Sequence, residues 1–317
     1  MTQFKKISQK EYELYQVSDE RFPEHTYIIR SEPSQMILYN PHLAGKRLQD
    51  LTEKTAKIMI DAMGKTALRD VKLDNICELI FLAGGLYYNL NSGFKQITNE
   101  ALPQCFIGIK RQRVEGQEGS FTAAATYENF ESLPDNATVI IGDTIATGAT
   151  LQKGINILID AVEERKYKIK NLIVCTLAGS VVGGEKLKEV ETKLKKEFPD
   201  SNIYFYACEE LFHLMPDGTD LRFLVNGAVM PEETRTKTIE VYGEALGNEM
   251  KCAVFDWGTR CKNPKKHYRE FLEFTDEILA SNKLDEKGTN VIKKMKQETE
   301  TNLNEFQKPI FNKLNTK

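Results

Sequence analysis

One stretch of this chain combines the residue types and spacing of an anion site. Gly142-Asp143-Thr144-Ile145-Ala146-Thr147-Gly148-Ala149-Thr150 follows the β-branched run Ala137-Thr138-Val139-Ile140-Ile141 and leads into a segment where Leu151, Ile155, Leu158, Ile159 and Val162 recur at helical spacing. The pattern predicts a buried strand, a tight turn and a helix. Small residues leave the loop backbone accessible, and the hydroxyls of Thr147 and Thr150 can donate to an anion. The N–H groups of a helix start add partial positive charge. Asp143 stands at the strand end beside this cradle, where it can accept hydrogen bonds from sugar hydroxyls. No G-x-x-x-x-G-K-[ST] occurs in the chain, so the cradle is not a Walker loop.

Other reactive residue types make weaker cases. Lys110, Arg111 and Arg113 form a basic run at the end of an apolar segment, beside the expected phosphate site. His213 is a lone histidine in an apolar stretch, a pattern more often structural than catalytic. Glu209 and Glu210 are adjacent acids; on a strand end they point apart, so a solvated pair is expected. Trp257 is expected to pack the C-terminal helices. The cysteines show no C-x-x-C and the four histidines lie far apart, so no zinc framework is expected. Cys105, Cys175 and Cys208 sit in apolar, strand-like runs and are expected as small buried hydrophobes.

The elements that must position these groups alternate. Ile80 to Leu82, Cys105 to Ile109, Ala137 to Ile141, Leu172 to Leu177 and Ile203 to Ala207 have strand composition, with helical patterns between the later ones. Strands of about 5–6 residues alternating with helices predict parallel β-α-β units, an α/β fold with a mostly parallel sheet and flanking helices. Ligands of such sheets bind beyond the carboxyl ends of the strands. A helix is expected over 43–63, whereas residues 1–42, broken by Pro23, Pro33 and Pro41, form a segment of unclear order. The division is then 1–42, an α/β domain over 43–231, and a helical C-terminal extension over 232–317. In the extension Phe271, Phe274, Ile278 and Leu279 share one helical face, which must be buried on the core or across a homodimer interface.

Composition narrows the function classes. The 317 residues are 41% hydrophobic with 16 Phe and 12 Tyr, enough for a real core. A net charge of −3, from 43 Lys+Arg against 46 Asp+Glu, gives no field drawing the molecule to nucleic acid or a membrane surface. Residues 251–317 carry 14 Lys+Arg and 10 Asp+Glu, too small an excess for a nucleic-acid arm. No run has the apolar length of a membrane span, and the N-terminus lacks the apolar stretch of a signal peptide, so a soluble, cytoplasmic protein is expected.

Val139 to Leu151 resembles the phosphoribosyl-pyrophosphate (PRPP) motif of type I phosphoribosyltransferases. With a single acid and Ala146-Thr147-Gly148, it is closest to the uracil phosphoribosyltransferase branch, whose motif has an acid followed by Pro-Met-Leu-Ala-Thr-Gly. Ile80 to Leu86 resembles the strand and loop that hold pyrophosphate in that family. Phe106 to Arg111 resembles the strand carrying a basic residue to the phosphates, and Phe198 to Tyr206 with Glu209 to Pro216 resembles the last core strand and the start of the base-recognition hood. The resemblance spans about residues 43–225.

What the resemblance implies is transfer of the phosphoribosyl group of PRPP to a nucleobase, uracil or another pyrimidine, with release of pyrophosphate. Asp143 would be the catalytic residue, holding the ribose hydroxyls. Thr144, Ala146, Thr147, Gly148, Ala149 and Thr150 would bind the 5′-phosphate side of PRPP, and Gly84, Gly85, Lys110 and Arg111 the pyrophosphate. Leu214, Met215, Pro216 and Asp220 would bind the base. Mg²⁺ would arrive on the substrate pyrophosphate, with no metal site of the protein's own, and a homodimer is expected. Residues 115–126 would be a loop acting as a lid that excludes water. A different class, a non-catalytic PRPP or nucleotide sensor of the same fold, is the alternative. It is favoured by the extension and by Leu82 or Ala83 standing where the uracil branch carries an Arg.

Overall fold

The structure, a computed structural model, describes residues 2–113, 121–252 and 257–306. In chain order these form β1 (Gln3–Gln9), β2 (Glu13–Ser18), β3 (His25–Arg30), α1 (Glu32–Leu38), α2 (Gly45–Lys65), β4 (Ile76–Leu82), α3 (Leu90–Thr98), β5 (Gln104–Arg113), β6 (Phe121–Asn129), β7 (Ala137–Gly142) and α4 (Ala149–Glu164). Then follow β8 (Ile169–Thr176), β9 (Gly179–Ser180), α5 (Val181–Glu197), β10 (Asn202–Cys208), β11 (Leu211–Leu214), β12 (Leu221–Arg222), α6 (Glu232–Glu249), α7 (Trp257–Lys262), α8 (Pro264–Ala280) and α9 (Glu286–Phe306).

The main sheet has the order β1-β2-β3-β10-β8-β7-β4-β5-β6. From β3 across to β5 neighbouring strands run parallel, and antiparallel pairs close both edges. This is the expected α/β architecture. β7 is buried at every position, which suits its β-branched composition to a strand covered on both faces. Period-two alternation sorts its side chains into layers. Val139 and Ile141 pack with Leu151, Ile155 and Leu158 of α4 and Leu187 of α5, while Ile140 packs with α2 and the C-terminal helices on the opposite face.

Two segments differ from expectation. The proline-broken N-terminal stretch supplies β1 to β3, and β3 joins the sheet by pairing in parallel with β10, Tyr206 opposite Tyr27. Residues 121–126, expected as part of a loop, belong to β6, which pairs antiparallel with β5; the remainder of that expected lid, 115–120, lies outside the described residues. A separate small sheet, β12-β11-β9, stands over the carboxyl end of the main one.

The extension folds back on the same chain. Phe271, Phe274 and Ile278 are buried in the cluster that holds Leu48, Met59 and Tyr206, and Leu279 packs at its edge. Arg260 fastens α7 to the α1–α2 connection, donating to the carbonyls of Leu43 at 2.8 Å, Ile37 at 3.0 Å and Asn40 at 2.9 Å. Burial draws this guanidinium down to about 10, still charged at neutral pH. The face that needed a partner is therefore covered within the chain. Among the described residues no helix is long and apolar enough to cross a membrane. Phe271→Ala should cost about 3–5 kcal/mol of stability, because the ring leaves a cavity in a sealed core. Urea unfolding measures it, and a loss below about 1 kcal/mol would mean that α8 does not pack as described.

Candidate functional site

β4 and β7 are neighbours, and the chain leaves their carboxyl ends in opposite directions, through α3 to β5 and through α4 to β8. Such a switch point opens a crevice for ligands. A cavity of about 540 Å³ occupies it. Its lining combines Leu82, Ala83, Gly84 and Ile109 with Asp143, Thr144, Ala146 and Thr150 from the cradle, with Asp217, Thr219 and Asp220 from the turn before β12, and with Leu221 of β12 itself. Lys251, Trp257 and Gly258 complete it from the extension.

The cradle is tied down by backbone bonds to the segment after β8. Asp143 N–H donates to Cys175 C=O at 3.1 Å, Ile145 N–H to Ala178 C=O at 3.0 Å, and Ser180 N–H to Ile145 C=O at 2.8 Å. Asp143 Oδ1 accepts from Thr144 N–H at 2.9 Å. The Ser180 hydroxyl donates to the Ala146 carbonyl and also accepts from Gly183 N–H, so one serine caps α5 and braces the loop. Gly148 begins α4 at φ +74°, where a Cβ would be strained and would meet the Lys186 side chain at 3.0 Å. Thr147 Oγ1 accepts from Ala149 N–H at 3.4 Å, and no acid stands in the first turn of α4 to neutralise its positive end.

Tyr88 supports this loop from below. A Cβ on Gly142 would come within 2.8 Å of the Tyr88 ring, so the strand must end in glycine there. The buried phenol accepts from Leu177 N–H at 3.1 Å and bonds the Thr144 hydroxyl at 3.1 Å. Burial raises its pKa, so it stays protonated. Its ring meets Trp257 edge-to-face at 6.0 Å, and the Arg260 guanidinium stands 5.8 Å from the centre of the Trp257 ring.

A second part of the lining is a hydrogen-bonded turn. Asp217 Oδ1 accepts from the N–H groups of Thr219 at 3.0 Å and Asp220 at 2.9 Å, and its Oδ2 accepts from the Thr219 hydroxyl at 2.6 Å. Burial works to raise the Asp217 pKa, but these bonds and the charge of Lys251 hold it below the usual range. Arg222 Nε donates to Asp220 Oδ2 at 2.7 Å.

The structure thus brings Gly84, Asp143, Thr144, Ala146, Thr150 and Asp220 to one cavity. Thr147, Gly148 and Ala149 line the adjoining loop concavity. Gly85 is buried beside the Gly142 carbonyl, Lys110 is exposed on β5 next to Ile109, and the Arg111 side chain lies outside the described residues. Leu214, Met215 and Pro216 are not part of the cavity lining; Met215 closes its turn by donating to Asp220 C=O and accepting from Gly218 N–H. His213 pairs with Arg222 across β11 and β12, also off the cavity.

Two expectations need correction. Glu209 and Glu210 are not solvated: they are 1% and 0% exposed. Glu209 takes φ +64°, which breaks the strand alternation, and its carboxylate accepts from Ser31 N–H at 3.0 Å and Ser34 Oγ at 2.8 Å. Burial pushes Glu209 up to about 7 and Glu210 well above the usual carboxylate range. Trp257, expected only as helix packing, faces the cavity as well. Residue type alone gave no signal for Lys251; it reaches the site through a bridge to Arg222 that joins distant parts of the chain. Among the described residues no group of three or more His, Cys, Asp or Glu could hold a metal ion.

No protein-family model matches the chain, and no curated protein matches it. Among solved structures it is similar to the adenine phosphoribosyl transferase of Trypanosoma brucei, determined with AMP, pyrophosphate and ribose-5-phosphate, at 14% identity and a TM-score of 0.32. That match covers 50% of this chain and 65% of the other, under two thirds of its length. A hypoxanthine phosphoribosyltransferase from Staphylococcus aureus is similar at 18% identity and a TM-score of 0.31, over 57% of this chain and 89% of the other.

Tyr88→Phe keeps the ring and removes the hydroxyl, leaving the buried Leu177 N–H without its acceptor. The expected loss is about 1–3 kcal/mol. Chemical unfolding checks it; a change within about 0.5 kcal/mol of the parent would remove the phenol as the support of the loop.

Proposed function

We propose that this chain is a phosphoribosyltransferase, moving the phosphoribosyl group of PRPP to a nucleobase and releasing pyrophosphate. The observation that carries this is the juxtaposition, around one cavity, of the Asp143 cradle at the start of α4 with the Leu82–Gly84 turn after β4. The cavity volume of 540 Å³ falls in the range of about 300–1,000 Å³ typical of small-molecule sites. In this reading the α4 amides and Thr147 hold the 5′-phosphate, and Asp143 accepts hydrogen bonds from the ribose hydroxyls. The backbone of the Leu82–Gly84 turn holds the pyrophosphate. The bond from C1 to the pyrophosphate oxygen breaks as a ring nitrogen of the acceptor bonds to C1, that nitrogen giving up its proton to solvent. Positive charge develops on the ribose meanwhile, and the Asp143 carboxylate stabilises it by position rather than by covalent attack.

Mg²⁺ would suit this site as a substrate-borne ion, since it binds through one or two carboxylates plus phosphate oxygens and water, and Asp143 lines the cavity. When bound it would neutralise charge on the pyrophosphate. One observation favours a second reading, a non-catalytic PRPP sensor: the turn after β4 is Leu82-Ala83-Gly84 and presents no basic side chain.

Pyrophosphate release from PRPP and Mg²⁺ across a panel of pyrimidines and purines separates the two. Turnover with any base supports the transferase; stoichiometric PRPP binding without release supports the sensor. Within the transferase, Asp143→Asn should lower kcat by more than tenfold, roughly the worth of one hydrogen bond to a charged centre, with PRPP binding little changed. A kcat within about twofold of the parent would leave Asp143 a structural residue. Thr147→Val removes a donor to a charged phosphate and should weaken PRPP binding by about 10–150-fold. Unchanged affinity by calorimetry would move the phosphate site elsewhere.

A further inference from the structure

The cavity is short of positive charge. Of the described residues that line it, Lys251 alone is basic, against Asp143, Asp217 and Asp220. A phosphoribosyl ligand needs cations unevenly. Its 5′-phosphate meets the start of α4, where amides and hydroxyls serve an anion without a basic side chain. Its pyrophosphate carries more charge and meets the Leu82-Ala83-Gly84 turn, which has no basic side chain to offer.

The acids around Lys251 are already committed. Asp220 binds Arg222 at 2.7 Å, and Glu249 is shared by Arg222 at 3.3 Å and Lys283 at 3.2 Å. The Asp217 carboxylate is filled by donors of its own turn. Lys251 accordingly makes no ion pair among the described residues. It is half-buried, with its ammonium open rather than sealed, 5.6 Å from the centre of the Phe274 ring. The backbone beneath this head is fixed: Lys251 bridges to Arg222, and Cys252 donates its N–H to Leu221 C=O at 2.8 Å. A flexible four-carbon stem on a fixed root can turn its charge from the Phe274 face to an oxyanion. The exchange is favourable, because an open cation–π contact is weaker than a charge-assisted hydrogen bond.

We propose that Lys251 is the pyrophosphate-binding cation of this site, supplied by the C-terminal extension in place of a basic residue in the turn after β4. The inference rests on the phosphoribosyltransferase reading and adds to it a residue that neither the cradle nor the turn contains. As the bond from C1 breaks, its electron pair stays on the pyrophosphate oxygen, and the ammonium faces the charge that gathers there. The extension is then required for the reaction as well as for stability. Under this assignment the bare turn no longer argues for a sensor.

Calorimetry on the full chain tests it with two probes, pyrophosphate with Mg²⁺ and ribose 5-phosphate. The wild type should bind both. Lys251→Met, which keeps an apolar stem on Phe274, should weaken pyrophosphate by about 10–150-fold, the effect of one hydrogen bond to a charged group, and leave ribose 5-phosphate unchanged. Lys251→Arg keeps the charge and should recover most of the loss. Undiminished pyrophosphate binding by Lys251→Met, or equal weakening of both probes, would overturn the assignment. So would a wild type that binds ribose 5-phosphate but not pyrophosphate, with the 5′-phosphate site left standing. A wild type that binds neither probe would instead overturn the phosphoribosyl reading beneath it. Acetylation of wild-type lysines by acetic anhydride, read by peptide mass, needs no variant. Pyrophosphate with Mg²⁺ should shield Lys251, and ribose 5-phosphate should not. Equal labelling of Lys251 with and without bound pyrophosphate would overturn the assignment however Lys251→Met folds.

Discussion

The packing of one phenol under one glycine sets the geometry of the site. Tyr88 fills the space that a side chain on Gly142 would occupy, and its hydroxyl bonds both the residue after Asp143 and the backbone after β8. The ends of β4, β7 and β8 are thereby locked to a common centre that is buried and cannot exchange its bonds for water. Bonds of this kind are costly to leave unmade, so the loop holds one conformation with Asp143 at the strand end. Gly148 and Ser180 then fix where α4 begins relative to that acid.

The same phenol reaches the extension. Its ring touches Trp257, and Trp257 is kept in place by Arg260, whose three bonds to backbone carbonyls anchor α7 on the α1–α2 connection. A buried guanidinium with its donors satisfied by fixed carbonyls is a rigid strut, because releasing it would strand a charge in the core. The extension is accordingly more than a cover for the apolar sheet face. It completes the cavity, bringing Lys251, Trp257 and Gly258 to a site whose remaining lining comes from residues 82–221.

How much of this was legible in the chain depended on sequence separation. The strand, turn and helix from Ala137 to Glu164 could be recognised because composition, periodicity and loop chemistry all act within thirty residues, and the parallel sheet followed from repeats of that unit. β3 was hidden because its partner, β10, lies far along the chain, and prolines on either side obscured the strand pattern. Glu209 and Glu210 defeated the alternation rule because one residue in the left-handed region turns the chain inward, where Ser31, Ser34 and Gln35 wait to receive a carboxylate. Trp257 and Lys251 gave no local sign of a site at all. Their placement is decided by Arg260 and by the bridge to Arg222, contacts that no periodicity encodes.

The central claim is that a phosphorylated sugar is captured at the start of α4, beside Asp143. Backbone amide NMR during titration with Mg²⁺ and PRPP tests it most directly, with pyrophosphate alone as a second titrant. The amides of Thr144 to Thr150 should move with PRPP and those of Leu82 to Gly84 with either titrant, because the two segments hold opposite ends of one ligand. Shifts concentrated instead in the groove between Arg47 and Thr301, with the amides of 144–150 unmoved, would contradict the account.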